Sequence, residues 1–257
     1  MEEFVKYFSS AGLAMNPSKS ELILFRKGRQ HQELFVEGQP EASKVKLLGV
    51  TVEKGYLFNS HASQVAANVK SKVEKLAVAC KYLDWKNKRT VTDAIVTSTL
   101  SYCLAVWGWR YSWRKKVQKA MNQAVRMLLN CDMSKSMTEG LKEVGWLNMD
   151  NLWRLEQIAA MRRICSTQIP EVIFRILTSQ THHRYMVRAD GLRSGWWPLN
   201  AHGENAFVNL AVKVFNEQRI PQRIWFNDRA NRVMTSSEIR ETIKNDLIRF
   251  YGNENLS

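Results

Sequence analysis

Four cysteines, five histidines and a dense run of lysines are the residues of this chain whose types could do chemistry. For cysteine and histidine the first possibility is metal binding. Structural zinc needs close pairs, such as two cysteines separated by two to four residues. Cys80, Cys103, Cys131 and Cys165 stand 23, 28 and 34 residues apart, so they form no such pair. Three of them fall in predicted helices among apolar neighbours, and buried, reduced thiols of an intracellular protein are the expectation. His182, His183 and His202 have no cysteine or carboxylate cluster nearby, and no metal is expected there. Trp196-Trp197 could stack on single-stranded bases but reads first as a packing anchor. The chain has no Gly-x-Ser-x-Gly, no His-Glu-x-x-His and no phosphate loop, which leaves an independent hydrolase with little support.

Lysine is the residue type that remains, and its chemistry is attraction to polyanions. Ser60 to Asn130 holds 13 Lys/Arg against 3 Asp/Glu, so +10 of the formal +14 lies there; the segment before nets +1 and the segment after nets +3. These charges ride on helical repeats. Val65, Val69, Val73, Leu76, Cys80 and Leu83 form a one-sided stripe. Lys70, Lys75 and Lys81 point away from it, and Lys72 lies at its margin. A second amphipathic helix is predicted near Trp113. Val117, Met121, Ala124 and Leu128 share one of its faces, with Lys115, Lys116, Lys119 and Arg126 opposite. Val91 to Trp107 is apolar nearly all round, which predicts a helix buried on most sides. A folded, basic, helical block is a surface for nucleic acid. The bland alternative is a set of solvated helix faces.

At 257 residues and 45% hydrophobic content, the chain can bury a core of one or two domains. It has no apolar run of about 18 residues that would span a membrane. Met1-Glu2-Glu3-Phe4 lacks the basic start of a signal peptide. An intracellular protein, nuclear or cytoplasmic and without a membrane partner, is expected.

Residues 2–11 show a short helical stripe stopped at Gly12. Strands are predicted at Glu21 to Phe25, at Leu34 to Val36 and at Val45 to Val52, the last around Gly49, which permits a bulge or a close backbone approach. One helix and three strands cannot bury both faces alone, so the chain reads as truncated at its front. Downstream, helices are expected at Ser136 to Val144, Asp150 to Ile164, Pro170 to Leu177, Phe207 to Phe215, and from Ser236 or Ser237 to Phe250. Thr181 to Asn205 reads as a long loop. The fold class is mainly α with a small N-terminal α+β element, divided into residues 1–58, 59–131 and 132–257.

Gly12-Leu13-Ala14-Met15-Asn16-Pro17-Ser18-Lys19-Ser20-Glu21 resembles a segment of non-LTR (LINE-type) retrotransposon reverse transcriptases. In that family, Gly-Leu, an Asn and Lys-Thr-Glu precede an apolar strand just after the catalytic palm hairpin. Leu47-Leu48-Gly49-Val50 resembles the primer-grip turn of the same enzymes. His61 is placed like a histidine opening the first thumb helix, and Thr99 to Gly108 is similar to a Leu-x-Tyr-Gly…Trp stretch. Gln118 to Arg126, Val144 to Leu147, His183 to Arg188, and Phe207 through Phe215-Asn216 to Pro221 continue the likeness in order over about 220 residues.

The resemblance implies the end of a palm, a primer grip, a helical thumb and a C-terminal helical region. It implies that Leu48 and Gly49 hold a primer end by backbone approach; an ordinary strand bulge is the alternative. The expected phosphate contacts are Lys70, Lys75, Lys81, Lys86, Lys88, Arg89, Lys115 and Lys116. Lys19 corresponds to a lysine proposed to protonate the leaving pyrophosphate, a general-acid role that needs a complete polymerase. In this chain a solvated turn lysine is the favoured reading. The Tyr-x-Asp-Asp hairpin is absent, and no Asp-Asp occurs anywhere. Polymerases hold two divalent ions, normally Mg2+, on such carboxylates. The expectation is therefore no catalysis by this chain alone and no cofactor of its own. Its partners would be an RNA–DNA hybrid or duplex and the missing upstream palm and fingers. The competing function is a helical structural or interaction protein that kept the fold and lost nucleic-acid contact.

Overall fold

The computed structural model describes residues 2–14, 16, 19–23, 35–36, 39–132, 134–173 and 236–251. The described part is mainly helical, with two small antiparallel sheets near the N-terminus. The chain divides into two compact units, Met1–Ser60 and His61–Ser257.

The first unit opens with α1 (Glu2–Ser10). Gly12, at φ +72°, lets the Leu13 N–H reach back to the Phe8 carbonyl at 2.8 Å and its own N–H to that of Ser9 at 3.1 Å. This pair of bonds is a helix-ending Schellman arrangement. Strand β1 (Phe35–Val36) pairs with β2 (Gln39–Pro40), and β3 (Lys44–Leu47) pairs with β4 (Val50–Glu53). The strand expected at Glu21 to Phe25 is reduced to a parallel bridge from Leu22 to Glu41, with Leu24 and Phe25 outside the described residues.

The strand expected over Val45 to Val52 is instead a hairpin. Leu47 faces Val50 across a loop of Leu48 and Gly49, which carry φ +47° and +85°. Two left-handed residues in a two-residue loop are what the right-handed twist of a hairpin requires. After β4, the Glu53 carboxylate accepts the Ser60 N–H at 2.8 Å, at the start of the next helix. Burial pushes this carboxyl up. The bonds from Ser60 and Asn59, with the charge of Lys44, outweigh that and hold it below its ordinary range.

In the second unit, α2 (Asn59–Ala79) buries Val65, Val69, Val73 and Leu76. Cys80 is buried just past its end, whereas Leu83 falls off the stripe and is 40% exposed. The run Val91 to Trp107 departs most from expectation. It is helical without a break as far as Ser101 but is not sheltered on most sides: α3 (Trp85–Thr92) continues through a π-helical turn over Asp93–Thr97 into α4 (Ser98–Ser101), and α5 (Leu104–Trp107) follows after a break. Cys103, in the left-handed region at φ +51°, separates the last two. Thr92, Val96, Leu100, Leu104 and Trp107 are buried, while Val91, Tyr102 and Val106 are exposed. A spacing of four drifts around an ordinary α-helix. The wider i→i+5 turn absorbs the drift and keeps Thr92, Val96 and Leu100 on one side, while Leu104 and Trp107 are brought back to the core by the break at Cys103.

Helix α6 (Tyr111–Leu129) buries Val117, Met121, Ala124 and Leu128 as the pattern predicts, and ends at Asn130 in the left-handed region. It packs on α3, α7 (Met137–Val144) and α8 (Met149–Thr167). Helix α8 starts one residue before the predicted helix and runs three beyond it. Its first turn is capped by the Asn148 side chain, which accepts the Asn151 N–H at 2.8 Å. Helix α9 (Ser236–Tyr251) also packs on α8, burying Ile243 and Leu247, with Glu238 in its first turn as expected. Residues 171–173 are helical where the pattern predicts a helix to begin. The continuation to Leu177, the loop at Thr181 to Asn205 and the helix at Phe207 to Phe215 lie outside the described residues. Among the described residues, no helix is long and apolar enough to cross a membrane.

Candidate nucleic-acid interface

The cations of the basic block separate into those that hold the fold and those left for solvent. Lys72, at the margin of the α2 stripe, donates to the Thr99 hydroxyl at 2.7 Å. Lys88 turns its ammonium onto the end of α6, donating to the Met127 carbonyl at 2.7 Å. A cation there meets the negative end of the helix dipole. Arg114 pairs with Asp150, donates to the Gly108 and Trp109 carbonyls, and stacks 4.6 Å from the Trp153 ring centroid. The Arg89 guanidinium lies 2.9 Å from where a Cβ on Gly145 would be, so it is packed against the end of α7. Arg126, expected opposite the apolar face of α6, is half-buried.

Lys70, Lys75, Lys81, Lys86, Lys115, Lys116 and Lys119 are exposed. Lys116 reaches across to α2 and donates to the Ser63 hydroxyl at 2.9 Å. Ser63 and Lys70 lie about 20° apart around α2 and about 10 Å along it, at 100° and 1.5 Å per residue. The α6 lysines, Lys115, Lys119 and Lys116, fall within an arc of about 100° on their own helix. The Lys116 bond thus joins the flank of α2 that carries Lys70 to the lysine face of α6. Lys75 stands about 140° from Lys70 and belongs to the other flank. Lys81 and Lys86 lie at the turn into α3, where Lys81 Nζ is 5.7 Å from the Tyr82 ring centroid. Lys119 shares the exposed face of α6, a placement legible from the helical period. Tyr82 and Trp85 are exposed aromatics at the same turn, off any apolar stripe.

Beneath the basic face, the His61 imidazole packs edge-on against the Trp107 ring, with centroids 5.4 Å apart. Burial lowers its pKa from the ordinary 6.5, which keeps the ring neutral at pH 7. A separate cleft of about 530 Å³ is lined by Met121, Trp146, Leu147, Leu152 and Leu155, with Arg240 at its rim. Arg240 is engaged in an ion pair with Glu156.

In the first unit, the hairpin tip holds Leu48 out at 83% exposure and leaves Gly49 exposed beside it. Lys19 is exposed on a short turn whose N–H donates to the Asn16 carbonyl at 3.1 Å. Among the described residues, no group of three His, Cys, Asp or Glu is placed to hold a metal ion. His182, His183, His202 and the Trp196-Trp197 pair lie outside the described residues.

Part of the chain is a reverse-transcriptase-like region of the non-LTR transposon kind. The likeness is to a Drosophila melanogaster protein described as a probable RNA-directed DNA polymerase from transposon X-element. The two are 26% identical over 127 residues, which is 47% of this chain and 14% of that protein. The chain therefore spans a small fraction of the curated relative it matches. No protein-family model matches the chain, and no solved structure matches it to a significant degree.

Proposed function

We propose that this chain is a piece of a non-LTR reverse-transcriptase-like protein that grips nucleic acid through its basic helical block and does not polymerise by itself. In this reading, residues 1–58 are the end of a palm with a primer-grip turn at Leu48 and Gly49. Residues 59–131 are a thumb, and residues 132–257 are the helical region that follows. The ligand is an RNA–DNA hybrid or duplex, met along its phosphates without reading of bases. The carrying observation is the flank on which Lys70 joins Lys115, Lys116 and Lys119 through the Lys116–Ser63 bond. Lys81 and Lys86 extend the basic surface at the α2–α3 turn, and Lys75 supplies a contact from the other flank. Lys88 and Arg89 are assigned mainly to the fold, since their charged ends rest on α6 and α7. Lys19 is read as a solvated turn lysine, exposed with its N–H on the Asn16 carbonyl; a general-acid role at a leaving pyrophosphate belongs to a complete polymerase.

Binding of the full chain to an RNA–DNA hybrid at several salt concentrations tests the reading. Affinity should fall linearly on a log–log scale as salt rises. Reversing Lys70, Lys75, Lys81 and Lys115 to Glu together should flatten the slope by about one unit for each phosphate no longer neutralised. Equal affinity for an uncharged decoy, without a salt slope, overturns it. Partner binding that survives the four reversals favours the helical interaction protein instead.

A further inference from the structure

The turn between α2 and α3 places two exposed aromatic rings beside cations, with Lys81 Nζ 5.7 Å from the Tyr82 ring centroid. Tyr82 is 88% exposed and Trp85 45% exposed, where large aromatic rings usually find cover. Lys81 and Lys86 stand beside them, both exposed. The one acid in the turn, Asp84, is turned toward the α3 start. Its carboxylate accepts the Asn87 N–H at 2.8 Å and the Asn87 side-chain amide at 2.9 Å.

Both sides of this turn are anchored. On one side Cys80 is buried at 2% exposure and its carbonyl accepts the Leu83 N–H at 3.2 Å. On the other, Lys88 ties α3 to the end of α6. The rings are therefore carried by a fixed scaffold. An apolar protein surface docking here would have to desolvate the flanking ammonium groups. A ligand that alternates flat π-faces with phosphates meets both the rings and the charges.

We propose that residues 80–86 form a stacking platform for unpaired nucleotides, RNA or DNA, with Tyr82 and Trp85 holding bases and Lys81 and Lys86 their phosphates. This rests on the nucleic-acid reading above and adds a single-strand subsite to it. The lysine face tracks a duplex, and the turn takes the strand that leaves it.

The test uses the full chain and three probes: a blunt RNA–DNA hybrid, the same hybrid with a single-stranded extension, and that hybrid with an abasic extension of equal length. The base-bearing extension should bind at least about tenfold more tightly than the abasic one, the scale of a single stacked base, with more if both rings are occupied. Tyr82→Ala and Trp85→Ala together should erase that difference and leave blunt-hybrid affinity and thermal stability in place, while Tyr82→Phe preserves it. Equal binding of base-bearing and abasic extensions, with a salt-dependent grip on the blunt hybrid intact, overturns the platform and spares the duplex reading. A base preference that persists in the double variant overturns the assignment to these two rings. No binding to any probe overturns both.

Discussion

The β3–β4 hairpin and the α2–α8 helices present surface to solvent by opposite means. In the hairpin the backbone does it. Two consecutive positive φ angles at Leu48 and Gly49 thrust the tip outward, whatever the side chain prefers. In the helices the side chains do it, since an apolar stripe fixes which residues turn out. The helical case shows that a count of cations overstates the charge left to solvent. Lys72, Lys88 and Arg114 belong to the same +10 block as Lys70 and Lys115, yet their charged ends bond to the protein.

The contrast can be broken most forcefully at the core of the helical unit. Trp107 is fully buried and donates from Nε1 to the Tyr102 carbonyl at 2.9 Å. Trp107→Ala should cost about 3–5 kcal/mol in denaturant unfolding; a loss below about 1 kcal/mol contradicts the packing described. A matched pair of lysines sharpens the division of charge. Lys88→Met should destabilise by about 1–2 kcal/mol, because the α6 carbonyls lose a charged donor. Lys86→Met should leave unfolding unchanged and weaken hybrid binding. Equal behaviour of the two variants would erase the distinction.

A smaller effect follows from His61. Its folded pKa lies below the ordinary 6.5, so the unfolded chain takes up a proton first as pH falls. Stability should be level above 6.5 and decline below it, and a His61→Gln variant should lose that slope in melts between pH 7 and pH 5. The smallest effect is at the hairpin. Leu48→Asn relieves a left-handed leucine and should stabilise the first unit by about 1 kcal/mol or less, read by hydrogen exchange across β3 and β4.

Where burial follows a regular period, the sequence is a sufficient guide. The stripe from Val65 to Cys80 and that from Val117 to Leu128 are buried as spaced. Val91 to Trp107 misleads because its apolar content masks its period. A repeat of four fits one face only if a π turn intervenes, and nothing in residues 93–97 announces one. The Leu48-Gly49 hairpin passes for a bulged strand because leucine is not a turn residue and half the turn signal is missing. The role of Lys88 is out of reach for a different reason: its acceptors lie 39 and 40 residues away, beyond any local pattern. At the interface, the exposed faces are legible from periodicity, whereas the link from Lys116 to Ser63 requires the tertiary structure.

One close approach has a mechanical meaning. A Cβ on Gly108 would lie 2.6 Å from the Leu104 carbonyl oxygen and 2.8 Å from Cδ1 of Trp153. The α5–α6 turn is therefore seated against α8 with no clearance for a methyl group. Next to it, Arg114 bonds to that turn and to Asp150 at the same time. The joint works as a rivet: α6 cannot slide along α8 without shearing backbone against an indole.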